Sequence, residues 1–322
     1  MAYLIDKQTH AFCYLRPHHV FGRLTESVHT QIAKPEISKI HAVIEYQNDH
    51  WWIRDLSSNG TWLNHRHLDK HKTVKLKKGD IISFAGPKAT EFEVADTGMP
   101  RDHLIPLRLE DNHAAIPLTH YNLLPSEHLP EYSLVFQAQR NQWQLESVYD
   151  VLPNPNELKD GDIIHMQGSP WRLQTSANYA ATVPISSSVE SIQDLSLCFN
   201  VSQDEETTRL SVQCPDQVID LKVRSHHYLS LILARKRIAD IQQHINQDSQ
   251  GWLYTDELTH QLGIDEYHAN IQIHRFRKQV SDNLTHLADL DRLIERRPGM
   301  LRLGCANISI LKGGKVEYAF TN

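Results

Sequence analysis

The sequence predicts a multidomain chain in which two all-β, sandwich-like units precede an α+β unit, and three observations lead to this reading. The first 175 residues run as short alternating strands separated by turn residues, among them His41–Tyr46, Trp51–Asp55, Ile81–Phe84, Leu134–Ala138 and Trp143–Ser147. Within that half a segment recurs: Leu76-Lys77-Lys78-Gly79-Asp80-Ile81-Ile82 returns as Leu158-Lys159-Asp160-Gly161-Asp162-Ile163-Ile164. From Ser225 onward the apolar period changes from two to between three and four, which is helical.

The chain has 322 residues, enough for two or three units that each bury a core. With 40% hydrophobic and 22% charged residues it reads as globular rather than disordered. No run of about 18 apolar residues occurs, so a cytoplasmic location without a membrane partner is expected. Cys13, Cys198, Cys214 and Cys305 lack pair spacing, which argues against both a disulfide framework and a zinc site. Residues 1–90 carry 13 Lys/Arg against 8 Asp/Glu, residues 91–264 carry 11 against 24, and residues 265–322 carry 9 against 7. Basic ends around an acidic middle suit two separate anion-binding surfaces.

The repeat is unequal. Tyr46–Trp51 corresponds to Ala138–Trp143 at an offset of 92, whereas the Gly-Asp-Ile-Ile segments lie 82 apart, so the second copy lacks ten residues between these anchors. The first copy carries Ser57-Ser58-Asn59-Gly60-Thr61-Trp62-Leu63-Asn64 in that interval. Together with Gly22-Arg23 and Ser38-Lys39-Ile40-His41, in this order and spacing, it resembles the forkhead-associated (FHA) family over residues 15–95. The resemblance implies an all-β sandwich over residues 1–97 that reads phosphothreonine through Arg23, Ser38, Lys39, Ser58 and Asn59. The chemistry suits the role. Arg23 supplies a planar, always-charged fork for phosphate, Ser38 a hydroxyl donor, Lys39 a second charge, and Asn59 a donor and an acceptor for ligand backbone. By the same resemblance His41, Thr61, Trp62 and Asn64 brace the loops. The second copy, residues 103–175, has neither a Ser-x-x-His element nor the Asn-Gly-Thr loop, and is read as a degenerate FHA-like β-sandwich without a pocket, with Trp143, Ile163 and Leu173 in its core.

A Ser/Ala/Pro-rich linker is expected over residues 176–192. Its Thr182-Val183-Pro184-Ile185 reads first as an inert spacer and alternatively as an internal ligand for the pocket. Residues 193–322 then show strands at Leu195–Val201, Arg209–Gln213 and Val218–Val223, and a helix capped by Ser225 with Leu231, Ala234, Ile238, Ile241 and Ile245 on one face. A second helix starts at Thr255 and stops at Gly263. A third, Glu266–Ser281, is capped by Asp265 and buries Ala269, Ile273, Phe276 and Val280. This order is similar to the OmpR/PhoB-type winged-helix-turn-helix, with Ile294–Leu303 as the wing. The face of the third helix opposite its buried stripe presents Tyr267, Ile271, His274, Arg275 and Lys278, with Gln272 and Arg277 on its flanks. For double-stranded DNA the resemblance implies that Ile271 and Arg275 face bases, that Gln272 and Arg277 hold phosphates, and that Arg296, Arg297 and Arg302 contact backbone phosphates. Two features depart from that family: the wing lacks its second glycine and its aromatic residue, and the first helix runs two turns long.

His65, His67 and His71 have no carboxylate or cysteine partner at zinc spacing and read as surface histidines, so no metal is expected. Gly313-Gly314-Lys315 reads as a turn, and no catalytic motif or cofactor signature occurs. The chain therefore reads as a non-enzymatic bacterial regulator that couples a phosphothreonine-bearing protein to double-stranded DNA, with a second copy of itself as a candidate partner. The alternative is an FHA adaptor, for instance in a secretion apparatus, whose winged helix makes protein contacts.

Overall fold

The computed structural model describes residues 1–70, 72–108, 114–137, 140–149, 156–176, 191–215, 217–284, 287 and 289–320. Thr182, His71 and most of the expected linker lie outside the described residues. The structure is mostly β-sheet with three α-helices among these residues, and the chain divides into two compact units. The first comprises Met1–Leu118, Asp160–His165 and Ser169–Pro184; the second comprises Thr119–Lys159, Met166–Gly168 and Ile185–Asn322.

In the first unit, a five-stranded sheet orders Thr30–Gln31, His18–Gly22, Ala42–Gln47, His50–Asp55 and Thr73–Lys75. A six-stranded sheet orders Phe12–Tyr14, Tyr3–Asp6, Thr90–Asp96, Ile81–Phe84, Thr61–Leu63 and Arg66–His67. Alternation puts Phe21, Ile44, Trp51 and Ile53 of one sheet and Ile82, Phe84 and Phe92 of the other into a common core. Two hairpins close with left-handed residue pairs, Asn48-Asp49 and Asn64-His65, which suits the strand twist. A further four-stranded sheet orders Ile116–Pro117, His103–Pro106, Ser169–Gln174 and Ile163–Met166.

The repeated segments share a local geometry. Gly79 N donates to Val94 O and Val94 N to Asp80 O; Gly161 N donates to Leu173 O and Leu173 N to Asp162 O, all at 2.8 Å. Gly79 and Gly161 both sit at positive φ, +87° and +92°. Trp143 and Leu173 are buried as expected, but Ile163 is 52% exposed. Its strand alternates, so Ile164 and Met166 point inward and Ile163 outward.

The second unit has one apolar core. A five-stranded sheet orders Val218–Val223, Thr208–Gln213, Ser196–Val201, Asn307–Lys312 and Lys315–Tyr318, with Ser196–Val201 parallel to Asn307–Lys312. Three helices follow the first three strands: α1 (His226–Gln242), α2 (Thr255–Leu262) and α3 (Glu266–Asn283). Leu253–Tyr254 pairs with Met300–Leu303, which forms a hairpin with Ile294–Arg297. Ala269, Ile273, Phe276 and Val280 of α3 are buried together, and Asp265 caps the helix by accepting from His268 N at 2.7 Å. α1 includes Ile241 but ends at Gln242, short of Ile245 on the expected face: His244 is left-handed at φ +56°, Ile245 N turns back to Asp240 O, and Ser225 makes no side-chain cap. Ser191 and Ile192, read as linker, are instead anchored: Ser191 Oγ and Ile192 N donate to Asp289, and Ile192 is buried in the core.

The second unit also holds an antiparallel sheet from the sequence middle, ordered Tyr121–Leu124, Tyr132–Gln137, Gln142–Ser147 and Asn156–Leu158. Tyr121 and Leu123 join the same apolar cluster as α3.

The matched glycine turns can be tested directly. A Cβ on Gly79 or Gly161 meets nothing within 4 Å, so alanine at either costs only the left-handed backbone, about 1–2 kcal/mol. Urea unfolding of Gly79→Ala and Gly161→Ala should show losses of that size and similar to one another. A Gly161→Ala chain as stable as the parent would show that the second turn is not held in this geometry.

Candidate functional site

One end of the first unit gathers the loops that hold Arg23, Ser38, Lys39, Ser58 and Asn59, and its geometry begins with a close backbone approach. A Cβ at Gly22 would lie 2.2 Å from Lys39 O, so only glycine lets these two loops meet. They are then tied together by Arg23 N to Ser38 O at 3.0 Å and Leu24 N to Lys39 O at 3.3 Å. Arg23 Nε donates to Ile37 O at 3.0 Å, which aims the guanidinium while the side chain stays exposed.

His41 is fully buried and links the second loop to the third. Its Nδ1 accepts from Ser38 N at 3.1 Å and its Nε2 donates to Gly60 O at 3.0 Å. Burial pushes its pKa below the ordinary value, which keeps the ring neutral and able to accept at one nitrogen while donating at the other. Ser58 N donates to Ser38 Oγ at 3.0 Å, so the Ser38 hydroxyl proton remains available to an incoming acceptor. Asn59 Nδ2 donates to Glu36 O at 2.7 Å, leaving its carbonyl oxygen directed elsewhere.

Beneath the third loop lies a residue that no motif pointed out. Asp55 is fully buried, and its Oδ1 accepts from Ser57 N, Ser57 Oγ at 2.7 Å and Thr61 Oγ1 at 2.6 Å. Ser57 Oγ in turn accepts from Gly60 N at 2.7 Å. Asn64 joins the loop's far end to Asp80 and to Ile81 N. A carboxylate ending one strand, two residues before a Ser-Ser-Asn-Gly-Thr run, was the available signal. Three cationic or hydroxyl groups, Arg23, Lys39 and Ser38, thus surround a surface whose backbone is already committed, which suits an anion beside an extended chain.

The second set of predicted residues sits differently from expectation. The α3 face read as solvent-exposed is covered within its own unit by residues 119–149. Ile271, His274 and Arg277 are 6%, 3% and 5% exposed. His274 Nδ1 and Tyr121 Oη are hydrogen-bonded at 2.6 Å. Arg275 donates to Glu127 O at 2.8 Å and Lys278 pairs with the Glu127 carboxylate at 3.5 Å. Arg277 donates to Asp291 O and Ile294 O at 2.7 Å and lies 3.6 Å from Glu146. Gln272 is half-buried. The physical reason for the correction is that Tyr121 and Leu123 extend the apolar core over this face, and polar groups around them satisfy the cations.

On the hairpin, Arg296 donates to Asn270 Oδ1 at 2.9 Å, and burial with Arg277 nearby pushes it down to about 10. Arg302 pairs with Glu295 and, with Arg297, lies over the Trp252 ring, 4.7 and 4.1 Å from its centroid. Arg297 is exposed. Among the described residues, no cluster of three His, Cys, Asp or Glu could hold a metal ion, and no helix is long and apolar enough to cross a membrane.

Two outcomes follow from these geometries. Asp55→Ala should weaken ligand binding at the first site although Asp55 faces away from it, because two buried hydroxyls and an amide lose their acceptor at about 1–3 kcal/mol each. Asp55→Asn, which keeps an oxygen, should recover much of the loss, and equal affinity in all three proteins by calorimetry would refute the brace. His274 is held well below its ordinary pKa by burial, then by Arg277 and Arg296. Its contribution is therefore complete above about pH 6.5 and is lost as pH falls. Unfolding of the second unit between pH 7 and 5 should show this, with a slope smaller by up to about 1.4 kcal/mol per pH unit in His274→Asn. Identical slopes would count against it.

Comparison with known proteins bears on the first site. Residues 19–85 match the FHA domain family. Over 88 residues the chain is 38% identical to Germ layers disorganized gldi-3 of Caenorhabditis elegans, a match spanning 24% of this chain and 9% of that protein. Among solved structures, Mycobacterium tuberculosis EmbR in complex with a low affinity phosphopeptide is 26% identical over 31% of this chain and 25% of its own, with a TM-score of 0.27. The FHA domain of an Arabidopsis thaliana hypothetical protein is 30% identical over 31% of this chain and 87% of its own, also at 0.27. The chain thus spans a quarter of the EmbR chain and under a tenth of the nematode protein.

Proposed function

We propose, from the premise of an FHA domain near the N-terminus, that this chain is a phosphothreonine-dependent regulator. Residues 1–97 bind a phosphothreonine in a partner protein, a Ser/Thr kinase or its substrate. Arg23 and Lys39 meet the phosphate, Ser38 and Ser58 donate to it, and Asn59 holds the ligand backbone. The single observation carrying this reading is the committed loop surface: Arg23 exposed and aimed by Ile37 O, and Ser38 with its hydroxyl proton available and its backbone held by neutral His41. In this reading residues 103–175 are a degenerate copy without a pocket. Residues 193–322 form a winged helix that binds double-stranded DNA through the groups that reach solvent, Arg275 and Lys278 on α3 and Arg297 on the hairpin. The protein acts as a binding module and not as an enzyme, in a bacterial cytoplasm, alone or as a homodimer.

The covered face of α3 favours a second reading, in which the chain is an FHA adaptor and the C-terminal elements serve protein contacts. Titration into DNA at two salt concentrations separates the two, because phosphate contacts release counterions and make affinity fall steeply with salt.

Calorimetry against phosphothreonine peptides and their unphosphorylated counterparts tests the first site. Charge-assisted bonds to phosphate contribute about 1.5–3 kcal/mol, so Arg23→Ala should bind at least about tenfold more weakly while unfolding at the same denaturant concentration. Arg23 is exposed, so a folding defect is not expected. Unchanged affinity in Arg23→Ala, or equal binding of both peptide forms, would overturn the pocket assignment.

A further inference from the structure

The chemistry laid over α3 is that of an internal stand-in for an anionic ligand. Residues 119–149 contain Glu127, Glu131 and Glu146 against Arg140 as the one Lys or Arg. Each helix group on this face takes an electron-rich partner from that segment. Arg275 takes the Glu127 and His128 carbonyls and His274 the Tyr121 hydroxyl, while Lys278 adds the Glu127 carboxylate to Asp282 of its own helix and Arg277 adds the Glu146 carboxylate to the Asp291 and Ile294 carbonyls. Tyr149 stacks on Tyr267 of the same face, with centroids 4.7 Å apart and planes at 2°. Ile271, an apolar residue on an otherwise polar face, is buried beneath the segment's sheet.

The contact also grades from core to rim. Tyr121 is 2% exposed and belongs to the apolar cluster, whereas Tyr149 is 57% exposed and the Glu127 side chain 64%. The rim contacts of Tyr149 and Glu127 can part while Tyr121 stays in the core, which frees Tyr267, Arg275 and Lys278 without unfolding the core beneath α3.

We propose that residues 119–149 are an intramolecular cover that competes with duplex DNA for the α3 face, so that DNA binds only the fraction of molecules in which the cover has lifted. The proposal rests on the DNA-binding reading of the C-terminal elements. It adds that affinity is set by cover occupancy: a cover closed in nine molecules out of ten lowers apparent affinity about tenfold.

Two measurements on the full chain test it. Glu127→Lys combined with Tyr149→Ser alters only exposed rim residues, placing a positive charge opposite Arg275 and Lys278 and removing the ring stack. This variant should bind a short duplex in low salt about tenfold more tightly than the parent, with an unchanged denaturant midpoint as the control for folding. In the parent, the Glu127 carboxylate and Lys278 amine are close enough for carbodiimide to join them as an amide, read by peptide mass spectrometry. Saturating duplex should reduce that cross-link at least severalfold. If parent and variant bind DNA equally well, or the cross-link persists in saturating duplex, the cover is refuted while the DNA reading stands. If neither protein binds DNA, the DNA reading fails and takes the competition with it.

Discussion

The loops that carry Arg23, Ser38 and Asn59 are fixed relative to one another through one buried side chain, His41. The imidazole sits where no water can replace it, accepts from Ser38 N and donates to Gly60 O. It therefore joins two loops that are far apart in sequence. Were it protonated, both nitrogens would be donors and the bond from Ser38 N would be lost; burial keeps the ring neutral and so keeps both bonds. The residues proposed to touch ligand inherit their positions from this arrangement. Ser38 is placed by His41, Ser58 by Ser38, and Arg23 by the carbonyls that the same loop presents.

The second unit solves the opposite problem. A helix carrying Arg275, Arg277 and Lys278 beside Arg296 concentrates positive charge, and burying any of it requires partners. Some of those partners lie in residues 289–297 and on α3 itself, and others come from the acidic middle of the sequence, the Glu127 and Glu146 carboxylates and the Glu127 carbonyl. Charge asymmetry that composition alone suggested as two anion-binding surfaces is, on this helix, answered inside the chain. The second copy of the repeat thereby acquires a structural role that its missing loops did not indicate: its Tyr121–Leu124 strand completes the core under α3.

Much of the architecture was legible because it rests on local chemistry. The Gly313-Gly314 turn, the Asp265 cap and the Ala269–Val280 stripe depend on residues within one or two turns of chain, so pattern reading finds them. The pocket loops were legible for a related reason: Gly22, Ser38 and Asn59 occupy conformations or contacts that few residue types satisfy. Where the reading missed, the cause was non-local. α1 continues an apolar pattern through Ile241 and Ile245, but the chain must turn at His244 to bring Gly251 against Arg237 and Asp240. Ile163 carries the same letters as the buried Ile164, and only the pleat distinguishes them.

Periodicity, turn chemistry and three short motifs, all written in contiguous residues, were enough to specify the β-rich half, the helical stripe and the groups around the first site. Tertiary packing alone decided that Asp55 would hold the third loop and that Ser191 and Ile192 would be anchored on Asp289. It alone decided, too, that a basic helix face would be closed by a sheet more than a hundred residues earlier in the chain. The reason is the reach of the interactions concerned. Helix caps and turns are satisfied by neighbours along the chain, whereas a buried carboxylate or guanidinium takes whichever partner the fold brings within about 3 Å, and nothing in its own segment names that partner.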